Sequence, residues 1–293
     1  MSVSRSWSAS TTRLDIYTHA VIDWFTELKD KQSITFLIFD IVDFYPSITE
    51  SLLVNALDFA SEHIAITDQD RETIMHVRKS LLFDENSPWI KRDNSSLFDV
   101  TAMGSYDGAE VSELVGLYIL NNLCKRYSRK ASIGLYRDDG LAALKGIGPR
   151  SADKICKEFY AIFENFGLRI TAQANLKIVN YLYITLDLAN DKFFPYRKPD
   201  NPPLYIHVLS NHPPAIIKQL PKSINSRIST LACDFNEFNK AAPIYNKAFQ
   251  ESGFSERLCY EPPEREKRGE KNRPRKILWF NPPFSRNVKT NIG

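Results

Sequence analysis

Three carboxylates define the chemistry this sequence could perform. Asp40 closes the unbroken apolar run from Ile34 to Phe39, and Asp138 and Asp139 stand together in Leu135 to Gly140, LYRDDG. Carboxylates gathered in one site repel each other unless a cation lies among them, because like charges disfavour joint ionisation. Oxygen-only ligands suit Mg²⁺, with Mn²⁺ as a substitute. Two such ions roughly 3.5–4 Å apart would serve in-line phosphoryl transfer, one activating a 3′-hydroxyl and the other steadying a departing pyrophosphate. That chemistry needs neither His nor Cys. The 5 His are unclustered, and the 4 Cys (Cys124, Cys156, Cys233 and Cys259) have no short ligand spacing, which argues against a zinc site.

Each signal alone is weak. A lone Asp-Asp-Gly is more often a turn than a metal site, and an Asp at a strand end is more often a cap or a solvated residue. The information lies in the order of the elements that carry them. Leu14, Tyr17, Val21, Phe25 and Leu28 recur at helical spacing. The run Ile34 to Phe39 then reads as a strand buried on both faces. Ser47 and Glu50 form a Ser-x-x-Glu capping pattern ahead of a helix bearing Leu52, Leu53, Ala56, Leu57 and Ala60. Another helix is expected over Arg71 to Leu82, a short strand over Phe98 to Ala102, and a helix through Val111, Val115, Ile119 and Leu123. The runs on either side of the Asp-Asp-Gly read as a β-hairpin. Ser151 is expected to cap a helix carrying Ile155, Phe159, Phe163 and Phe166, which Gly167 stops. Strands follow at Leu168 to Thr171 and Tyr181 to Leu188. Prolines 195, 199, 202 and 203 mark a boundary, beyond which Pro213 to Phe254 reads as mostly helical. If the strand of Asp40 and the hairpin are neighbours, all three carboxylates meet at one end of a sheet.

The residues that carry this pattern resemble the reverse-transcriptase family. Phe39 to Ile48 (FDIVDFYPSI) is similar to its motif A, and Leu135 to Leu141 (LYRDDGL) to its motif C. Met103 to Gly116 stands where motif B belongs. Gly167 through Lys177 resembles motif D, Tyr181 to Thr185 motif E, and Ser210 to Arg227 the start of a thumb. The motif B wording resembles Penelope-like retroelements in particular.

The resemblance implies an α+β fold: a palm with an antiparallel sheet and packed helices, followed by a helical thumb. It implies an RNA-directed DNA polymerase using two Mg²⁺ ions, an RNA template, a DNA primer and dNTPs. Asp40, Asp138 and Asp139 would be the metal ligands, helped by the backbone carbonyl of Ile41. Asp43 and Phe44 fall where backbone amides hold the triphosphate. Tyr45 falls at the steric gate, where a bulky ring rejects a ribose 2′-hydroxyl. Gly104 would let the backbone approach the templating pair, and Lys177 would protonate the pyrophosphate.

The implied organisation is a palm over 1–194, a thumb-like region over 195–260, and a basic linker and tail over 261–293. Arg265 to Lys276 is rich in Lys and Arg, which suits either a solvated linker or a phosphate-contacting segment. Departures from the family are Met103 before Gly104, the absence of a following Ser-Pro pair, and fingers that are largely absent, as expected of an N-terminally truncated copy. An inactive nucleic-acid-binding remnant and an RNA-directed RNA polymerase are the alternative readings, with Tyr45 arguing against the latter. The scattered thiols, an N-terminal MSVSRSWSASTTR without an apolar h-region and the lack of a long apolar run point to an intracellular protein with no membrane span, nuclear by family resemblance, while the net charge of +3 discriminates little.

Overall fold

The unbroken apolar character of the strand leading to Asp40 has a direct structural cause. In the computed structural model, which describes residues 14–78, 83–84, 87–88 and 108–262, this strand lies inside a sheet covered on both faces. Gly104, the strand expected at Phe98 to Ala102 and the basic stretch from Arg265 lie outside the described residues. The chain divides into two compact units, Met1–Leu182 with Leu186–Asp191, and Tyr183–Thr185 with Lys192–Gly293.

The first unit begins with α1 (Leu14–Glu27), a 3₁₀ turn (Lys31–Ser33) and β1 (Ile34–Val42). Next come α2 (Phe44–Ser47), α3 (Glu50–Ser61), α4 (Asp68–Val77) and the short pair β2 (Phe83–Asp84) and β3 (Ser87–Pro88). After α5 (Gly108–Tyr127) come the hairpin strands β4 (Ala131–Tyr136) and β5 (Asp139–Lys145), then α6 (Pro149–Asn165), β6 (Arg169–Leu176), β7 (Ile178–Tyr181) and β8 (Ile184–Asp187), whose first two residues are assigned to the second unit. The main sheet has the order β4-β5-β1-β6, and all of its pairings are antiparallel. This is the α+β architecture expected from the sequence.

Alternation along β1 divides its side chains between two layers. Leu37, Phe39 and Ile41 join Leu53 and Leu57 of α3, Val115 and Ile119 of α5, and Phe159 and Phe163 of α6 in one buried cluster. Phe36 points the other way, its ring centroid 6.3 Å from Trp24 and 6.5 Å from Phe25 of α1. Burial on both faces favours an apolar residue at nearly every position, and this is why the run is continuous.

Several local expectations are corrected. The helix after Asp40 is capped by Thr49, whose hydroxyl accepts the Leu52 N–H at 3.2 Å; Ser47 instead ends α2. Pro46 explains this, since a proline fits the first turn of a helix and here helps to form a separate short one. Gly148 stands at the N-cap of α6 with Pro149 behind it, which puts Ser151 inside the helix. The expected strand from Tyr181 to Leu188 is two strands, parted at Leu182, which adopts φ 54°.

In the second unit, β9 (Lys192–Pro195) precedes α7 (Pro214–Leu231) and α8 (Phe235–Glu251). The buried Glu237 accepts from Lys240 at 2.8 Å and from Lys192 at 3.1 Å, and Lys192 also lies 3.3 Å from Asp234. Asp234 caps α8 by accepting the Glu237 N–H at 2.9 Å. A buried carboxylate so paired ties β9 to the start of α8.

Gly140 shows how tightly the main sheet is fitted. It faces Phe39 across β1 and β5, and a Cβ added there would fall within the Phe39 ring. That ring cannot easily move aside, because Phe159 and Phe163 hold it at centroid distances of 5.3 and 5.4 Å. Gly140→Ala should therefore cost about 1–3 kcal/mol through overpacking, seen as an earlier urea midpoint. Adding Phe39→Leu should recover part of the loss. A Gly140→Ala protein with the wild-type midpoint would show that the ring is free to shift.

Candidate catalytic carboxylate site

Strand pairing brings the three predicted carboxylates to one end of the sheet. Asp40 of β1 is directly opposite Asp139 of β5, and Asp138 is the adjoining residue of the hairpin turn. The Ile41 N–H donates to the Asp138 carbonyl at 2.9 Å. A bond between the flanking residues identifies Asp40 and Asp139 as a non-hydrogen-bonded pair, with Cα atoms about 4.5 Å apart and side chains on one face. Asp40 and Asp139 are exposed and Asp138 is half-buried. Among the described residues, no three His, Cys, Asp or Glu side chains are gathered into a ready-made metal cage. Mg²⁺ does not need one, since it is commonly held by one or two carboxylates together with substrate phosphates and water. Adjacent oxygen donors open to solvent fit that manner of binding.

The turn itself is conformationally demanding. Tyr136 pairs with Asp139, leaving Arg137 and Asp138 as a two-residue loop in which Arg137 adopts φ 55°. Such loops favour Gly, Asn or Asp at a positive-φ position, and a bulky residue there stores about 1–3 kcal/mol of strain unless its surroundings enforce it. Three contacts brace this one. The Arg137 guanidinium lies 5.3 Å from the centroid of the Tyr136 ring. The Ile41 N–H holds the Asp138 carbonyl, and the Tyr181 hydroxyl donates to the Asp139 carbonyl at 3.1 Å. Burial, and then the charges of Asp139, Tyr136 and Asp138, hold the Tyr181 phenol well above the usual tyrosine range, so it remains a donor. Beside the turn, burial raises the Glu113 carboxyl of α5, against the opposing pull of Arg137.

The nucleotide-binding residues expected from the sequence follow β1 immediately. Asp43 adopts φ 49° and turns the chain into α2. Its exposed carboxylate lies 3.7 Å from Arg169, which begins β6 opposite Val42. A pair so exposed contributes little stability, but it puts a guanidinium at the carboxylate end of the sheet. The Phe44 side chain is buried in the core, whereas Tyr45 is half-buried with its ring centroid 5.9 Å from that of Phe44. The Ile41 side chain also belongs to the core. Gly104 lies outside the described residues.

Lys177 is placed elsewhere. Its ammonium donates to the carbonyls of Gln32 at 2.8 Å and Ile34 at 2.6 Å, at the opposite end of β1 from Asp40. Six residues of strand at about 3.3 Å each put roughly 20 Å between Ile34 and Asp40. The expectation that Lys177 donates a proton at the carboxylates is corrected by this position: Lys177 ties down the start of β1. Sequence reasoning gave no role to Arg169, Arg137 or Glu113. It placed Tyr181 in motif E without linking it to the Asp139 carbonyl.

Comparison with known proteins matches no family model and no curated protein. Among solved structures, the chain is similar to telomerase from Candida albicans in complex with a TWJ fragment of telomeric RNA. The TM-score is 0.56 at 10% identity, covering 85% of this chain and 44% of that one. Telomerase from Candida tropicalis is matched with a TM-score of 0.47 in its complex with a TWJ fragment, and of 0.45 as an apo form truncated from the C-terminal domain. Both are 10% identical, with 85% and 66% of this chain covered against 43% and 41% of those chains. The Candida albicans likeness is one of fold alone. The chain spans less than half the length of these telomerase chains.

The position of Lys177 yields a measurable consequence. Lys177→Met should lower stability by about 1.5 kcal/mol, the lower end for charged hydrogen bonds because the site is exposed. Urea unfolding would register this. Turnover that depends on Asp40 should keep its pH profile in the same variant, whereas loss of a true proton donor would alter the alkaline limb.

Proposed function

We propose that this chain is an RNA-directed DNA polymerase domain of a Penelope-like retroelement, which extends a DNA primer with dNTPs on an RNA template. The observation that carries the reading is the pairing of Asp40 with Asp139 across adjacent strands, with Asp138 in the turn beside them. The polymerase-like fold supports it.

Two Mg²⁺ ions, or Mn²⁺ in their place, supply the charge stabilisation of phosphoryl transfer when bound. Asp40, Asp138 and Asp139 offer them oxygen ligands, and the Ile41 carbonyl is a further donor. The strand pairing presents Asp40, Ile41 and Asp139 on a rigid sheet, with Asp138 in the short turn that the sheet braces, so little reorganisation is needed when substrate arrives. Backbone amides at Asp43 and Phe44 hold the triphosphate, and Gly104, by sequence a residue without a Cβ, is assigned to the side of the templating base pair. Arg169 supplies positive charge near Asp43, where the incoming triphosphate would need it. Tyr45 closes the sugar pocket: its ring stands under C2′ and excludes a ribose hydroxyl by size. Phe44 favours this role, since its burial anchors the segment while the neighbouring ring stays partly open.

Primer extension on an RNA template tests the reading. Wild-type protein should incorporate dNTPs in Mg²⁺ and stop on addition of EDTA. Asp138→Ala should lose at least about a hundredfold in rate, the scale of removing a group that stabilises transition-state charge. Tyr45→Ala should narrow the preference for dNTPs over rNTPs while keeping dNTP incorporation. Equal incorporation by wild type and Asp138→Ala would remove the proposal. Salt-sensitive binding of primer–template without turnover would instead identify an inactive nucleic-acid-binding protein.

A further inference from the structure

Tyr181 is an unusual buried residue because of what its hydroxyl holds. It lies at the end of β7, 4% exposed, and its partner is the backbone carbonyl of Asp139 at 3.1 Å. Buried tyrosines usually satisfy their hydroxyl, so a bond by itself is unremarkable. Its position is informative for two reasons. Asp139 and Asp40 form a non-hydrogen-bonded pair, so the Asp139 carbonyl points away from β1 and toward Tyr136 of β4, its partner in the hairpin ladder, and the Tyr181 hydroxyl is a further donor to it from a strand outside the hairpin. The neighbouring carbonyl, that of Asp138, is the one that β1 holds, through the Ile41 N–H at 2.9 Å. The two successive carbonyls of the acidic pair thus each receive a donor from outside the hairpin, Ile41 of β1 and Tyr181 of β7.

The turn needs such bracing. Arg137 adopts a positive φ that a large side chain disfavours, and a relaxed turn would re-aim both carboxylates. Tyr181 is itself well enclosed, 4% exposed at the last position of β7.

We propose that Tyr181 is a positioning residue for the acidic turn: its hydroxyl grips the Asp139 carbonyl and holds the two carboxylates in the orientation that binds the divalent ions. The proposal rests on the polymerase reading for its consequence in catalysis, but its physical content concerns the turn alone.

Tyr181→Phe keeps the ring and removes the grip. Three readouts are compared among wild type, Tyr181→Phe and Asp138→Ala: Mn²⁺ binding by electron paramagnetic resonance, Mg²⁺-dependent primer extension, and amide hydrogen exchange across Arg137 to Gly140. Outer-shell partners of metal ligands typically govern metal affinity by about 10–100-fold. Tyr181→Phe should therefore weaken Mn²⁺ binding by about tenfold and raise the Mg²⁺ needed for half-maximal kcat to a similar degree, with KM for primer unchanged. Exchange should quicken at the turn and not in the rest of β5. Wild-type values of ion affinity, Mg²⁺ dependence and exchange in Tyr181→Phe would overturn the proposal. If wild type itself neither binds Mn²⁺ nor extends primer, the polymerase reading fails and exchange decides: quickening confined to the turn supports the positioning role, and unchanged exchange overturns it.

Discussion

The register between β1 and β5 is the constraint on which the rest of the first unit depends. A shift of one residue would turn Asp40 toward the helices and bring Phe39 out to solvent, because side chains alternate strictly along a strand. The observed pairing puts Asp40 opposite Asp139 and Phe39 opposite Gly140. The acidic end and the aromatic core are therefore set by a single choice of alignment. The helices α3, α5 and α6 stabilise that choice by burying Leu37, Phe39 and Ile41 together, so packing on one face fixes which residues reach the other.

The acidic end is built from conformations that the chain does not adopt freely. Arg137 and Asp43 both have positive φ; Asp43 directly follows β1, and Arg137 directly follows β4 in the hairpin turn. Neither is glycine. Such strain persists only where surrounding contacts outweigh it, and at the Arg137 turn these contacts include a backbone hydrogen bond from β1 and the hydroxyl from β7. Rigidity at this end thus comes from the sheet beneath the turn and not from the turn sequence.

Much of this was legible in the sequence because the determining signals are local. The double-sided burial of β1 left a continuous apolar run, the hairpin left an Asp-Asp-Gly, and the helix faces left regular spacing at Leu53, Ala56 and Leu57. What escaped was non-local or carried no distinctive residue. The break at Leu182 involves neither Gly nor Pro, so nothing marked it. Thr49 and Ser47 are equally good capping types, and only the separate helix around Pro46 decides between them. Lys177 was misjudged because a motif order says nothing of direction. β6 runs antiparallel to β1, so each residue after Thr171 lies farther from Asp40. The bond from Tyr181 to Asp139 joins residues 42 positions apart, beyond the reach of any periodicity.

The contact between Phe39 and Gly140 also bears on how such a sequence can change over time. Because the ring occupies the space where a side chain at residue 140 would stand, the two positions do not drift independently. A larger residue at 140 becomes tolerable only after position 39 has shrunk, and a shrunken 39 first leaves a void against Phe159 and Phe163. Each route passes through a less stable intermediate, so the pair behaves as one inherited unit that spans two distant stretches of the gene.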